Sequence, residues 1–364
     1  MAINATKVSA GEALRVLRAG WGAQSAGDLR VSWMLHGRPG VGKTEIIQTL
    51  ADEVGAKLFD LRLTTIEPQD LRGLPFYDHD AGKTVWYRPE DLPDTDAPAI
   101  LFLDELTAAP PALQPTVYGL IQERRVGRHT LPDSVLIVAA GNMVEDGAVA
   151  YEMGTALSDR LVHIVVQADA TDWLTHYAPG AGIHPAVAAF LKTRPDLLET
   201  TEDALRRGEA VACTPRAWTR VSRIMDAIPD RATRQIMVAG TVGEAAAAEF
   251  ALIADDIAAS VRIDAMLAAS RAERQDMYPT TLHGITALVY GLSGAVDRSQ
   301  LPEAIEVLAD LRGEAINGLP VSEMATFGFE MLIARALTNG WEDVFAASAA
   351  YADYARDRAQ AGLP

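Results

Sequence analysis

One stretch limits what this chain can fold into more than any other: Trp33-Met34-Leu35-His36 followed by Gly37-Arg38-Pro39-Gly40-Val41-Gly42-Lys43-Thr44. An apolar strand runs into a turn of the pattern G-x-x-x-x-G-K-T. Beyond it, Ile46, Ile47, Leu50 and Val54 recur on one face of a helix. Each residue type has a task in a loop that cradles phosphate. Gly37, Gly40 and Gly42 admit positive φ and let backbone N–H groups turn inward, where the helix N-terminus adds partial positive charge. Arg38, Pro39 and Val41 complete the loop. Lys43 is placed to reach the β- and γ-phosphates, and the Thr44 hydroxyl to ligate Mg²⁺. The stretch predicts a nucleotide-binding chain.

The remaining strands are read from short apolar runs. Leu58 to Leu63 alternates, whereas Ile100 to Leu103, Val135 to Ala140 and Leu161 to Val166 are apolar nearly throughout. Strands of that kind alternating with helices predict an α/β fold with a five-stranded parallel sheet covered on both faces. Ligands of such sheets bind at the carboxyl ends of the strands. Ser9 and Glu12 form a capping box before a helix with a Leu14, Leu17 and Trp21 stripe. From residue 169 onward strand patterning gives way to Ala-rich helical periodicity, with helices expected near 184–193, 215–227, 231–239 and 243–254. The expected division is a nucleotide-binding core over 1–168, a helical lid over 169–254 and a helical extension over 255–364.

The second chemical feature is Asp104-Glu105, which ends the run Ile100-Leu101-Phe102-Leu103. Beside a phosphate loop, the first carboxylate suits Mg²⁺ and its waters, and the second suits polarising an attacking water. Asp104 is therefore the expected metal residue and Glu105 the expected base.

Taken together, GRPGVGKT, LFLDEL, AAGN at 139–142, ALSDRL at 156–161 and TPRAW at 214–218 resemble the AAA+ ATPases, a class of P-loop NTPases, and within them the MoxR-type branch. The resemblance spans roughly residues 9 to 252. It implies an AAA+ core, lid and ATPase activity with ATP and Mg²⁺ as cofactors. By the same resemblance Asn142 matches the sensor-1 residue that orients the lytic water, and Arg160 the arginine finger offered to a neighbouring subunit. Arg216 matches the sensor-2 arginine at the start of a lid helix. Leu161 stands where the family more often has Phe. The implied assembly is a ring, most often hexameric. The implied role is a chaperone that remodels or matures a protein client bearing a von Willebrand A domain. Inserts at Glu67 to Pro75 and Arg124 to His129 resemble segments that face the pore of such rings, with Arg72, Phe76, Arg125 and Arg128 as candidate contacts.

Composition weighs on the choice of partner. The 364 residues are 49% hydrophobic and 22% charged, enough for two or three domains with their own cores. The net charge of −17 is shared by both halves, −7 up to residue 168 and −10 beyond it. A general nucleic-acid binder needs Lys/Arg stripes that release counterions, so this acidity argues for a protein partner. The alternatives are an AAA+ nucleic-acid motor subunit and a nucleotide-gated scaffold with little turnover. The single Cys213 rules out an intrachain disulfide framework and reads as a small buried hydrophobe. His163 reads as packing, and the His residues form no metal-ligand cluster. With no secretory pattern at the start and no apolar run near the ~18–20 residues of a membrane span, a cytoplasmic location is expected.

Overall fold

The computed structural model describes residues 3–143 and 153–360. The chain divides into two compact units, Met1–Asp169 with Thr201–Gly208, and Ala170–Thr200 with Glu209–Pro364.

The first unit is an α/β layer structure. Its elements in chain order are β1 (Lys7–Val8), α1 (Ala10–Ser25), β2 (Ser32–His36), α2 (Lys43–Val54), β3 (Lys57–Arg62), α3 (Pro68–Arg72), β4 (Pro75–Asp78), β5 (Lys83–Trp86), β6 (Ala99–Asp104), α4 (Gln114–Glu123), β7 (Arg125–Val126), β8 (His129–Thr130), β9 (Val135–Gly141), α5 (Thr155–Ser158) and β10 (Leu161–Val166). The main sheet has six strands in the order β1-β10-β2-β9-β6-β3, all parallel. The expected count was five. The sixth is the two-residue β1, which pairs Lys7 with Val165 and Val8 with Val166 and is too short to leave a periodic signal.

The apolar strands divide their side chains between two cores, as the period of two requires. Trp33, Leu35, Ile100, Phe102, Leu136 and Val138 face α1 and α2, against Leu17, Ile46, Ile47 and Leu50. Met34, Leu101, Leu103, Ile137 and Ala139 face the other way, against Leu113, Val117, Leu120 and Ile121. A sheet buried on both faces places its free polar groups at strand ends, and the carboxyl ends of β2, β6 and β9 carry the chemical residues. The capping box on α1 is formed: Glu12 N–H donates to Ser9 Oγ at 3.2 Å and Ser9 N–H to Glu12 Oε2 at 3.0 Å.

Two small hairpins sit outside the main sheet. One pairs β4 with β5 and the other β7 with β8, the latter within the basic segment. Arg124, which opens that segment, is buried and donates to the carbonyls of Pro132 and Val135, so its role is structural.

The second unit is helical. Phe190, Trp218 and Phe250 meet ring to ring, with centroids 5.1 to 5.7 Å apart. The helix Glu244–Ser260 runs past residue 254, near which its end was expected. It continues because Phe250 and Ile257 are both buried on it, while Asp255 turns outward to pair with Arg231. The later helices share this core: Tyr290 Oη donates to the Leu174 carbonyl at 2.7 Å, and a Cβ on Gly291 would lie 2.1 Å from Ile263 Cδ1. Among the described residues no helix is long and apolar enough to cross a membrane.

Candidate active site at the carboxyl edge of the sheet

The loop between β2 and α2 holds a shape that only glycine allows at two points. Gly42 caps α2 with φ +106, and a Cβ on Gly37 would meet the Val166 carbonyl oxygen at 2.5 Å. Lys43, the first residue of α2, donates to the carbonyls of Gly37 (2.5 Å) and Arg38 (3.1 Å) and to Asn142 Oδ1 (3.0 Å). An ammonium has no acceptor, so the Asn142 atom facing it must be the oxygen. Two residues picked from separate motifs are thereby brought together across β2 and β9, which are neighbours in the sheet.

Asn142 is itself held by a residue that the sequence did not flag. Its N–H donates to Thr107 Oγ1 at 3.1 Å, and the Thr107 hydroxyl donates to its carbonyl at 3.0 Å. Gly141 belongs to the same fit, since a Cβ there would meet Thr107 Oγ1 at 2.5 Å.

Asp104 ends β6, with only 8% of its surface exposed. Its Oδ1 accepts the Glu105 N–H at 2.9 Å, and Arg62 reaches Oδ2 at 3.8 Å. Burial pushes its carboxyl above the usual carboxylate range, and the neighbouring Glu105 charge adds to this. The Glu105 N–H, Arg62 and Lys43 pull the other way. Glu105 adopts φ +60, a left-handed conformation that costs a non-glycine residue about 1–2 kcal/mol. Its carboxylate accepts the Thr64 hydroxyl, from just beyond β3. Thr64, Arg62 and Thr107 carry no motif of their own. Their only signal is position, since each lies within three residues of a strand's carboxyl end.

The loop has a second tether. Arg38 donates to Glu202 at 2.9 Å, on the helix Thr201–Arg207 that belongs to the same compact unit. His163, expected as packing, is instead hydrogen-bonded: its Nδ1 lies 2.7 Å from Nε2 of His36, the residue preceding Gly37. Burial, then His163, then Lys43 lower the His36 pKa to about 4, so His36 is neutral at pH 7.

The remaining sequence-derived residues stand elsewhere. Arg160 is exposed after the single turn α5 and donates to the Ala156 carbonyl. Among the described residues it makes no bond to Lys43, Asp104, Glu105 or Asn142. Arg216 is exposed at the second position of the helix Pro215–Ala227, which Thr214 caps through the Ala217 N–H at 3.0 Å, in the helical unit. Thr44 is the second residue of α2. Phe76 is half exposed on β4, and Arg72 lies over the Trp86 ring at 5.5 Å. Arg125 donates to Gly127 within its hairpin, and Arg128 is exposed.

The residues present fit a magnesium nucleotide. The loop offers a cradle that a Cβ at Gly37 would disrupt, and a lysine at its rim. Thr44 and Asp104 are hard oxygen donors, suited to a cation that keeps several waters and takes other oxygens from phosphate. Among the described residues there is no group of three His, Cys, Asp or Glu side chains that could hold a metal by itself.

A phosphate loop, an acid-tipped strand and a parallel sheet define a P-loop NTPase core. Residues 32–163 match the family described as ATPase family associated with various cellular activities (AAA) and are similar to it over that segment. No curated protein matches the chain. Among solved structures, a RuvB point mutant from Thermotoga maritima is 15% identical, with a TM-score of 0.40 over 66% of this chain and 69% of its own. The Thermotoga maritima RuvB Holliday junction branch migration motor is 13% identical, with a TM-score of 0.38 over 89% and 87%. A protein from Cytophaga hutchinsonii named as a candidate ATPase is 15% identical, with a TM-score of 0.32 over 85% and 79%.

Proposed function

We propose that this chain hydrolyses ATP with Mg²⁺ in a ring of identical subunits, hexameric in the MoxR manner, and uses the cycle to remodel or mature a protein client. The observation that carries the ATPase reading is the convergence of Lys43 and Asn142 beside an acid-tipped β6 on one edge of a parallel sheet. In this reading Lys43, with the backbone N–H groups of residues 40–44, binds the β- and γ-phosphates. Thr44 and Asp104 hold Mg²⁺, which neutralises charge developing on the phosphoryl oxygens. Glu105 takes the proton of the attacking water, and Asn142 orients that water. Arg160 serves the site of the adjacent subunit, which suits an exposed guanidinium that bonds none of its own site residues. Arg216 contacts phosphate from the helical unit, whose movement with nucleotide state delivers work to the client.

The net charge of −17 supports a protein client over a nucleic acid, and the MoxR resemblance supports a von Willebrand A domain on it. A cytoplasmic site of action accords with the lone, buried Cys213. Nucleotide binding and turnover by two variants test the ATPase. Lys43→Ala is expected to lose ATP binding, and Glu105→Gln to bind ATP while kcat falls by ~10²–10⁴. Hydrolysis by Glu105→Gln at the wild-type rate would refute the assignment. Stimulation by DNA with a steep salt dependence would replace the protein client with a nucleic acid.

A further inference from the structure

The His36–His163 pair joins two parts of the first unit that are assigned separate tasks above. His36 is 2% exposed and is followed directly by Gly37, whose carbonyl accepts the Lys43 ammonium. The two rings are nearly parallel, 13° apart, with centroids at 5.0 Å. On its far side His163 Nε2 lies 2.9 Å from the Ser158 carbonyl and 3.1 Å from the Ser158 hydroxyl.

Proton bookkeeping fixes the direction of this chain of contacts. A carbonyl only accepts, so His163 Nε2 must carry the hydrogen that reaches Ser158. In the neutral pair His163 Nδ1 is then an acceptor, and the 2.7 Å contact is His36 Nε2–H donating to it. Both imidazoles are thereby Nε2–H tautomers, and donation runs one way, from the loop side toward Ser158. The Ser158 carbonyl belongs to the peptide joining Ser158 to Asp159, and the next residue is Arg160. The turn α5 that precedes Arg160, Thr155–Ser158, is only four residues long and buries one side chain, Leu157. The turn is closed by its own backbone hydrogen bonds, Arg160 N–H to the Leu157 carbonyl at 3.1 Å among them, and the His163 contact to Ser158 ties it to the next strand.

We propose that His36 and His163 are positioning residues that aim the Arg160 turn from the residue preceding the phosphate loop, coupling a subunit's own loop to the finger it presents to its neighbour. The inference rests on the reading of Arg160 as a finger acting in trans. Lys43, on turning from the Gly37 carbonyl to phosphate, frees the Gly37–Arg38 peptide, one residue beyond His36. The relay passes that change to the Ser158 carbonyl through two hydrogen bonds.

Subunit mixing tests it. Arg160→Ala chains keep an intact hydrolytic site but supply no finger, and Glu105→Gln chains supply a finger but cannot turn over. Activity of the mixture therefore reports fingers of the second kind serving sites of the first. His163→Leu placed in the Glu105→Gln chain is expected to lower kcat of the mixture roughly tenfold, as misaiming a catalytic group does, with KM for ATP little changed. The same change placed in the Arg160→Ala chain is expected to leave it within about twofold. His163→Gln, which keeps a donor and an acceptor, is expected to recover most of the loss, and a structural defect would not depend on placement. An active mixture that is indifferent to placement overturns the relay alone. An inactive mixture from an active wild type removes the trans finger, and the relay with it.

Discussion

At the scale of single residues, the site is built from side chains whose partners come from other strands. Asn142 illustrates this: its backbone is clamped by Thr107, and its amide oxygen is turned onto Lys43. Thr107→Val removes both clamps without changing shape, and is expected to cost about 1–2 kcal/mol of stability. It should also lower kcat more than it alters ATP affinity, as urea unfolding and steady-state kinetics would show. His36 gives a pH dependence with a definite sign. Its pKa is about 4 in the folded chain against 6.5 when unfolded, so between these values the unfolded chain binds more protons. Stability is therefore full above pH 6.5 and falls as pH drops toward 4, by about 3 kcal/mol from this residue. Unfolding of His36→Gln compared with wild type across that window should show the slope reduced, and parallel curves would contradict the assigned burial. The motif residues were legible because each chemical type has a fixed spacing within one segment. Thr107, Thr64 and the His36–His163 pair were not, because a hydrogen bond across 127 residues exists only after β10 has settled beside β2. Cys213 is as inert as its surroundings suggest. It is buried, it donates to the Val242 carbonyl at 3.4 Å, and burial pushes the thiol up to about 11.

At the scale of elements, sequence and structure agree where a pattern is long enough to be periodic. The five expected strands and the helix Pro215–Ala227 are such cases. They part at β1, which has two residues, and at the end of the helix expected near 243–254, which runs on to Ser260 because the outward pair Asp255 and Asp256 interrupts the apolar pattern but not the helix. Glycine substitutions separate the two kinds of constraint at this scale. Gly37→Ala drives a Cβ into the Val166 carbonyl, so the loop must move. A loss of at least about tenfold in nucleotide affinity is expected, consistent with the ~1–3 kcal/mol of strain such positions store. Gly22→Ala in the last turn of α1 meets no atom within 4 Å and is expected to stabilise the unit by about 0.5–1 kcal/mol. Calorimetry and ATP titration of the two variants side by side check both signs.

At the scale of the whole molecule, the proposed reaction uses more than one chain: the arginine assigned to the transition state is exposed, and among the described residues it bonds none of the site residues on its own subunit. Such a finger is worth ~10³–10⁵ in rate where its contribution has been separated in related phosphoryl-transfer systems. The most direct measurement is specific ATPase activity against protein concentration, with sedimentation of the same samples in ATP and Mg²⁺. Activity per chain should rise with the fraction assembled, and Arg160→Ala should assemble yet stay near the monomer rate. Equal activity per chain in samples that sediment as monomers would contradict it.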